Sequence, residues 1–297
     1  MKRTLTAAAA ALLLFGANAY AQQQQDFSKV EVKTTDLGNK TYMLEGAGGN
    51  VTIAVGSDSV IMVDAQFAPM HDKLKAAIAK ITNLPVKYLI NTHYHGDHTG
   101  GNEAFGKEGA IIVANAKLKD RLANPPPGNN GQRPPAAPAE ALPKQVYTDK
   151  MTVSTGGRTA QLTHMEGHTD TDTVVYFPNA NVMAIGDTGG PAPRIPNIAL
   201  GATIDGEIAG VRNYVNMANA QTKIVPGHGR LSTKADLQAY LDSLVTMRDR
   251  VAKLKAEGKT EDQAVAAKPL ADIQAAAKAS DMQADNAVRR IYATLKS

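Results

Sequence analysis

The chain has 297 residues, contains no cysteine and carries a formal net charge of +4. Without cysteine it has no disulfides and no thiolate ligands, so any metal site must be built from His, Asp and Glu. Aromatic residues make up 5% of the sequence and there is no dense run of basic residues. The composition therefore argues against a nucleic-acid partner.

The first 21 residues have the pattern of a secretory signal peptide. The basic start Met1-Lys2-Arg3 precedes an apolar run from Ala7 to Gly16, and Ala19-Tyr20-Ala21 places small residues at the two positions that a signal peptidase reads. The apolar run is too short to span a bilayer, and no other segment is apolar enough to do so. We therefore predict cleavage after Ala21, with export to the periplasm or the medium.

After a polar stretch, the chain up to residue 123 is predicted to form strands interrupted by helices. A helix is predicted over 70–81 because Leu74, Ile78 and Ile81 share one face. Further helices are predicted at 102–105 and 116–123. Strands are predicted at 30–32, 41–44, 51–55, 59–64, 86–90 and 111–113.

Residues 124–143 are rich in proline, glycine, asparagine and alanine. Proline fits neither the interior of a helix nor a hydrogen-bonded ladder, so this segment is predicted to be an exposed loop. Strands follow at 146–153, 159–165, 173–177, 182–185 and 223–225, with a helix at 208–218 before the last of them.

The C-terminal region is predicted to be helical. Leu237, Leu241, Leu244 and Met247 share one helix face, a capping box at 260–263 opens another helix, and the last helix covers 285–295. Each half of the chain is a set of strands followed by helices, which favours two sheets packed face to face with helices outside. We predict one domain over 22–232 and a helical extension, 233–297, packed on it.

Three histidines and an aspartate lie within six residues directly after the strand at 86–90. In an extended backbone His93 and His95 point to the same side, where they can share one metal. Asp97 and His98 follow Gly96, where the chain can turn sharply, so they can face a second position nearby. Such a cluster predicts a metal site rather than a chance polar loop.

Three more candidate ligands follow strand-like runs and are flanked by glycine: His168, Asp187 and His228. Each alone could be a turn residue or a hydrogen-bonded cap. Together with the first cluster they predict a composite metal centre. The two remaining histidines are interpreted differently, His71 as a surface residue at a helix start and His164 as a structural residue.

This set of motifs resembles the signature of the metallo-β-lactamase superfamily. The matching motifs are His93-x-His95-x-Asp97-His98, Gly167-His168-Thr169, Gly186-Asp187 and Gly227-His228, with Asp64 as the early aspartate at a strand end. They cover roughly residues 40 to 232. The resemblance implies an α/β fold, the four-layer αβ/βα sandwich, with metals at the strand ends between the sheets.

The resemblance also implies the role of each site residue. His93, His95 and His168 would hold one metal, Asp97, His98 and His228 the other, and Asp187 would bridge them. Asp64 would orient a ligand histidine through its free ring nitrogen. The expected cofactor is two Zn²⁺ ions, although iron or manganese would also fit the ligand types.

The implied reaction is hydrolysis of a small molecule. A zinc-bound hydroxide would attack a carbonyl carbon, one metal would polarise the carbonyl oxygen, and Asp97 would transfer the proton. The resemblance implies β-lactam hydrolysis first, with lactones, thioesters and sulfate esters as alternatives. A periplasmic metal-binding or partner-docking protein is the non-enzymatic alternative, and the oligomeric state stays open.

Two positions depart from the best-known secreted β-lactamases. Those enzymes have cysteine at the position of Asp187 and, three residues later, a lysine that holds the substrate carboxylate, where this chain has Gly190. Asp187 is more similar to the glyoxalase, lactonase and sulfatase branches. Arg194 could replace the lysine as an anchor for a carboxylate, or it could lie on the surface.

Overall fold

Two β-sheets pack against each other through their inner faces, and helices cover both outer faces. The computed structural model describes residues 26–127, 132–199 and 201–295. The predicted signal peptide lies outside these residues. Within the described ranges, no helix is long and apolar enough to cross a membrane.

Over the described parts of the chain, the first sheet holds seven strands in chain order. Neighbours are antiparallel from β1 to β4 and parallel from β4 to β7. The strands are β1 (Lys33–Gly38), β2 (Thr41–Glu45), β3 (Val51–Val55), β4 (Val60–Val63), β5 (Val86–Ile90), β6 (Ile111–Asn115) and β7 (Gln145–Tyr147).

The second sheet, as far as the structure describes the chain, has five strands in the order β12-β11-β10-β9-β8. Only the β11–β12 pair is parallel among these described strands. The strands are β8 (Lys150–Thr155), β9 (Arg158–His164), β10 (Thr173–Phe177), β11 (Val182–Ala184) and β12 (Lys223–Val225).

The helices divide between the two outer faces. In the first half they are α1 (His71–Ala79), α2 (Gly96–Thr99), α3 (Asn102–Lys107) and α4 (Ala116–Ala123). In the second half they are α5 (Ile204–Met217), α6 (Lys234–Ala256), α7 (Glu261–Ala266), α8 (Ala271–Ala277) and α9 (Asp281–Thr294).

Among the described residues, three apolar clusters hold the layers together. The middle cluster joins the sheets, with Ile61 and Val113 of the first sheet and Leu162 and Val175 of the second in one buried group. A second cluster lies under α1 and α3, and a third joins the outer face of the second sheet to α5, α6 and α9. The α/β sandwich predicted from the sequence is therefore confirmed.

Some predicted element boundaries are wrong, because contacts between distant parts of the chain decide them. The predicted strand at 146–153 is two strands, since β7 pairs in the first sheet and β8 in the second, so the chain changes sheets at residues 148–149. The segment predicted as a strand at 30–32 pairs with no other described strand. Its valines instead pack against the apolar cluster on the outer face of the first sheet. Helix α8 lies in the region predicted to be helical but was not predicted as a separate helix, and none of its residues is buried.

Candidate metal centre

All seven predicted ligands lie beyond the ends of strands at one edge of the two sheets. The segment after β5 carries His93 and His95 in a loop and Asp97 and His98 in α2, and the loop after β9 carries His168. Asp187 follows β11, and His228 follows β12. Because β11 and β12 are parallel, their carboxyl ends reach the same edge.

His93, His95 and His168 converge on one point. Nδ1 of His95 lies 3.2 Å from Nε2 of His93 and 3.0 Å from Nε2 of His168. These three nitrogens are close enough to bind one ion. Two of the residues come from the first sheet and one from the second, so the group spans both sheets.

Asp97, His98 and His228 form a second group beside the first. Oδ2 of Asp97 lies 3.1 Å from Nε2 of His228 and 3.6 Å from Nε2 of His98. His98 is fully buried, whereas the His228 side chain is 46% exposed. The second group therefore forms the solvent-facing side of the centre.

Asp187 lies between the two groups. Its Oδ1 is 3.3 Å from Nε2 of His98, and its Oδ2 is 3.5 Å from Nε2 of His228 and 3.7 Å from Nε2 of His168. Oδ1 therefore faces the second group and Oδ2 faces both groups, which is the position that a bridging ligand requires.

Two buried polar atoms at this point have no hydrogen-bond partner among the described residues: Nε2 of His98 and Oδ1 of Asp187. Such atoms are costly to bury unless something binds them. Imidazole nitrogens and carboxylate oxygens are also the ligands that zinc takes when thiolate is absent. The residues present therefore fit a pair of metal ions.

Asp64 holds the loop that carries the histidines. Its Oδ1 accepts a hydrogen bond from the backbone N–H of Thr92, and its Oδ2 accepts one from the Thr92 hydroxyl. The same Oδ2 lies 2.8 Å from Nδ1 of His98, which leaves Nε2 of that ring facing the centre. A positive φ of 62° at Asp64 bends the chain directly after β4.

His168 is oriented by backbone groups of a distant loop. Its Nδ1 donates to the carbonyl of Asn197, and its own carbonyl accepts from the N–H of Ala199 at 2.9 Å. The Thr188 hydroxyl accepts from the backbone N–H of His168 at 2.9 Å, and donates to the buried carboxylate of Asp172. Sequence analysis missed these supports; those from residues 197 and 199 use main-chain atoms, which leave no side-chain signal.

Asn50 supports the loop of His228 in a similar way. Its side-chain amide donates to the carbonyls of Pro226 and Gly229, each at 2.9 Å, and its backbone N–H donates to Gly227. Only glycine fits at 227, because a Cβ there would overlap Oδ1 of Asp187. Sequence analysis did not single out Asn50.

Burial and the facing carboxylates act in opposite directions on the histidine pKa values. Burial lowers the pKa of His93 well below its usual range and that of His168 to about 4. Both rings are therefore neutral at pH 7, the form that binds metals. Hydrogen bonds to Asp187 and Asp97 raise the pKa of His228 to about 9.

Three residues that the sequence analysis considered outside the ligand set have other contacts. His71 is not a surface residue, since its side chain is 14% exposed and its ring packs on Phe105 at 4.7 Å. His164 donates from Nδ1 to the backbone carbonyl of Asp172, a structural contact. Arg194 is half-buried, donates to the carbonyl of Gly189 at 2.6 Å and lies over the ring of Tyr240.

Comparison with known proteins agrees with this geometry. The family model of the metallo-beta-lactamase superfamily matches residues 44–253. The solved structure of a metallo-beta-lactamase from Pontibacter korlensis superposes with a TM-score of 0.61 at 18% identity, over 72% of this chain and 99% of the other.

Two curated relatives carry different activities in their names. Metallo-beta-lactamase IND-1 of Chryseobacterium indologenes is 25% identical over 65% of this chain and 74% of its own length. Hydroxyacylglutathione hydrolase of Pelagibacter ubique is 27% identical over 49% of this chain and 53% of its own length. The chain spans about half the length of several curated relatives that it matches.

The chain belongs to the metallo-beta-lactamase superfamily, whose members are metal-dependent hydrolases. This confirms the family resemblance and the class of enzyme predicted from the motifs. The relatives' names show that members of the superfamily differ in substrate.

Proposed function

We propose that the protein is a dinuclear zinc hydrolase that cleaves a carbonyl–heteroatom bond in a small molecule, with β-lactams as the first substrate class. The observation that carries the proposal is the position of Asp187, between two histidine groups and with a buried oxygen that accepts no hydrogen bond from the described residues. Structural zinc sites are closed by four ligands. Seven residues converging from both sheets are more than a structural role needs.

Zinc in these positions would supply a Lewis acid and make a water molecule acidic enough to ionise near neutral pH. The chain's own residues do the rest. The partly exposed carboxylate of Asp97, 3.1 Å from His228, is placed to accept a proton and pass it on. The two sheets exclude water from the buried side, where His93 and His98 are fully enclosed.

Arg194 favours a substrate with an anionic group. A Cβ at position 190 would lie 2.7 Å from Nη1 of Arg194, so the guanidinium occupies the space next to this backbone position. The Tyr240 ring below it, 5.3 Å from the guanidinium carbon, helps to hold it. A β-lactam carboxylate beside the scissile amide is one such anion.

Hydrolysis of a lactone or a thioester is the second candidate. It is favoured by the aspartate at 187 in place of cysteine and by the similarity to a hydroxyacylglutathione hydrolase. A non-enzymatic metal-binding or partner-docking role is the remaining alternative. The predicted signal peptide supports export, so we propose a periplasmic or secreted location; N-terminal sequencing of the exported protein, expected to begin at Gln22, tests this.

One side-by-side screen tests these proposals. Zinc-loaded protein is assayed with nitrocefin, an acyl-homoserine lactone, a glutathione thioester, p-nitrophenyl esters and a sulfate ester, alongside Asp97→Ala and His95→Ala variants. We expect turnover of nitrocefin that falls by at least about 100-fold in both variants. Activity on none of the substrates, in protein that holds two zincs, would favour the binding role.

A matched pair of substrates tests the role of Arg194. Arg194→Ala is expected to raise KM for substrates that carry a carboxylate, and to leave KM for uncharged p-nitrophenyl esters unchanged. An equal change for both kinds of substrate would mean that the residue only supports the loop.

A further inference from the structure

Arg121 of α4 and Asp170 form a two-pronged ion pair next to the metal centre. Nε of Arg121 donates to Oδ1 of Asp170 at 3.3 Å, and Nη2 donates to Oδ2 at 2.6 Å. The two side chains are only 25% and 15% exposed. Paired, partly buried contacts of this kind are the stronger and more directional form of salt bridge.

The pair lies where the ligand-bearing loops meet. Asp170 is two residues after His168, and the guanidinium of Arg121 lies 5.9 Å from the ring centre of Tyr94, the residue between His93 and His95. The Tyr94 ring in turn contacts the ring of His95 at 4.7 Å. Arg121 therefore touches both loops that supply the first metal group.

The loop that orients His168 also packs on the pair. A Cβ at Gly201 would lie 2.9 Å from Nη2 of Arg121, so the backbone passes directly over the guanidinium. This same loop carries the carbonyl of Asn197 and the N–H of Ala199, which bind His168 on both sides. Three segments are thus held together at one ion pair.

The position matters because the first metal group draws its ligands from both sheets. His93 and His95 follow β5 of the first sheet, whereas His168 follows β9 of the second. A shift of one sheet relative to the other would separate His168 from its partners. Arg121 follows β6 of the first sheet, so its bond to Asp170 crosses the same gap beside the ligands.

A second ion pair provides an internal comparison. Lys117, also on α4, lies 3.1 Å from Glu166, which is two residues before His168 as Asp170 is two residues after it. Both of these side chains are about half exposed and make a single contact. Exposed single contacts contribute little.

We propose that Arg121 and Asp170 are a positioning pair for the metal bound by His93, His95 and His168. The pair holds the two ligand loops at the separation that the ion requires, and thereby sets the affinity of this position. The inference rests on the metal centre of the proposed function, and goes beyond it by assigning a role to residues that contact neither metal nor substrate.

The test compares Arg121→Gln and Asp170→Asn with the matched control Lys117→Gln, using Zn²⁺ in competition with a chelating dye. To observe the first position alone, each change is also made in a His228→Ala background, which lacks a ligand of the second group. We expect Arg121→Gln and Asp170→Asn to weaken Zn²⁺ binding by about 10- to 100-fold. Lys117→Gln is expected to change it less than about twofold.

Two further measurements separate positioning from general stability. Thermal melting of the chelator-treated proteins should differ by only a few degrees between Arg121→Gln and Lys117→Gln. The exchanged pair, Arg121→Asp with Asp170→Arg, should recover part of the lost affinity.

Three outcomes overturn the proposal. If Arg121→Gln binds Zn²⁺ with unchanged affinity and the wild type binds two zincs, the positioning role is overturned and the proposed function is not. The second outcome is a loss of Zn²⁺ affinity matched by an equal loss of stability in the metal-free protein, with no recovery in the exchanged pair. That result likewise overturns the positioning role and leaves the proposed function standing. A wild type that binds no zinc overturns this proposal together with the proposed function.

Discussion

Asp64 contacts a histidine of the candidate metal centre through one buried carboxylate. It accepts two hydrogen bonds from Thr92 and faces Nδ1 of His98, so it couples the end of β4 to the loop after β5. Carboxylates that hold the second nitrogen of a ligand histidine commonly affect metal binding by about 10- to 100-fold.

We expect Asp64→Ala to weaken zinc binding by about that factor, because the His98 ring loses its orientation and Thr92 loses its acceptor. Chelator competition measures the affinity. Asp64→Asn, which keeps an oxygen acceptor, should lose less zinc affinity than Asp64→Ala. Equal affinity in both variants and wild type would show that the contact does not orient the ring.

Gly227 illustrates a purely steric requirement at the centre. A Cβ at this position would overlap Oδ1 of Asp187, whereas a Cβ at Gly96 would meet nothing within 4 Å. We expect Gly227→Ala to reduce the zinc content of purified protein below two ions per chain, since Asp187 must move.

Gly96→Ala is the matched control, because it adds the same methyl group between the candidate ligands His95 and Asp97. It should bind two zincs with nearly unchanged affinity. The zinc content of both purified proteins tests this steric requirement. Loss of zinc in Gly96→Ala, or two zincs retained in Gly227→Ala, would contradict it.

At the scale of elements, helix α6 connects the C-terminal region to the second sheet. Six of its side chains are buried, including Leu237, Tyr240 and Leu244, in the same apolar cluster as Met183 and Ile224 of the sheet. The Tyr240 hydroxyl donates to the buried carboxylate of Glu207 on α5 at 2.6 Å. The helix thus supports the layer on which the Arg194 loop rests.

The start of α6 has a capping box, in which Thr233 and Asp236 bond each other's backbone N–H groups. The bond from Arg230, together with those from Thr233, lowers the pKa of Asp236 to about 2. A lowered pKa stabilises the fold above the unfolded value near 4, and this stability is lost as the pH falls towards 2.

We therefore expect Asp236→Asn to lower the free energy of unfolding by about 1 kcal/mol at pH 7. The difference from wild type should shrink between about pH 4 and pH 2, as the wild-type carboxylate takes up its proton. Denaturant unfolding of metal-free protein measures both values. A difference in free energy that stays constant over this pH range would show that it does not come from the ionised carboxylate of Asp236.

At the scale of the whole molecule, the candidate metal centre is a junction between the two sheets. The loop after β5 in the first sheet, together with α2, supplies four candidate ligands, and loops after β9, β11 and β12 in the second supply three. An ion bound there would tie the sheets together, so metal binding and folding should be coupled.

We expect the melting temperature to rise with free zinc, because a ligand that binds only the folded chain stabilises it. At about 100 times the dissociation constant this stabilisation is about 2.7 kcal/mol. Calorimetry across a series of buffered zinc concentrations measures the effect, with magnesium as the control ion. A melting temperature independent of zinc would contradict the coupling.

Much of the fold follows from local patterns in the chain. The apolar runs that form β3, β4 and β5, the spacing of apolar residues in α1 and the capping box of α7 are all readable without a structure. Segment 146–153 is not, since its residues suit a strand throughout. Only competition between two sheets for pairing partners divides it into β7 and β8.

The sequence by itself determined the chemical types of the candidate ligands and their placement after strands, because spacing and residue type are local properties. Only the tertiary structure decided which of these side chains meet, since Asp187 lies close to His98 through the packing of two sheets. It also decided the supports of the centre: Asn197 and Gly201 act through their backbones, and Arg121 meets Asp170 across 49 positions of sequence. Contacts of this kind depend on the path of the chain in space.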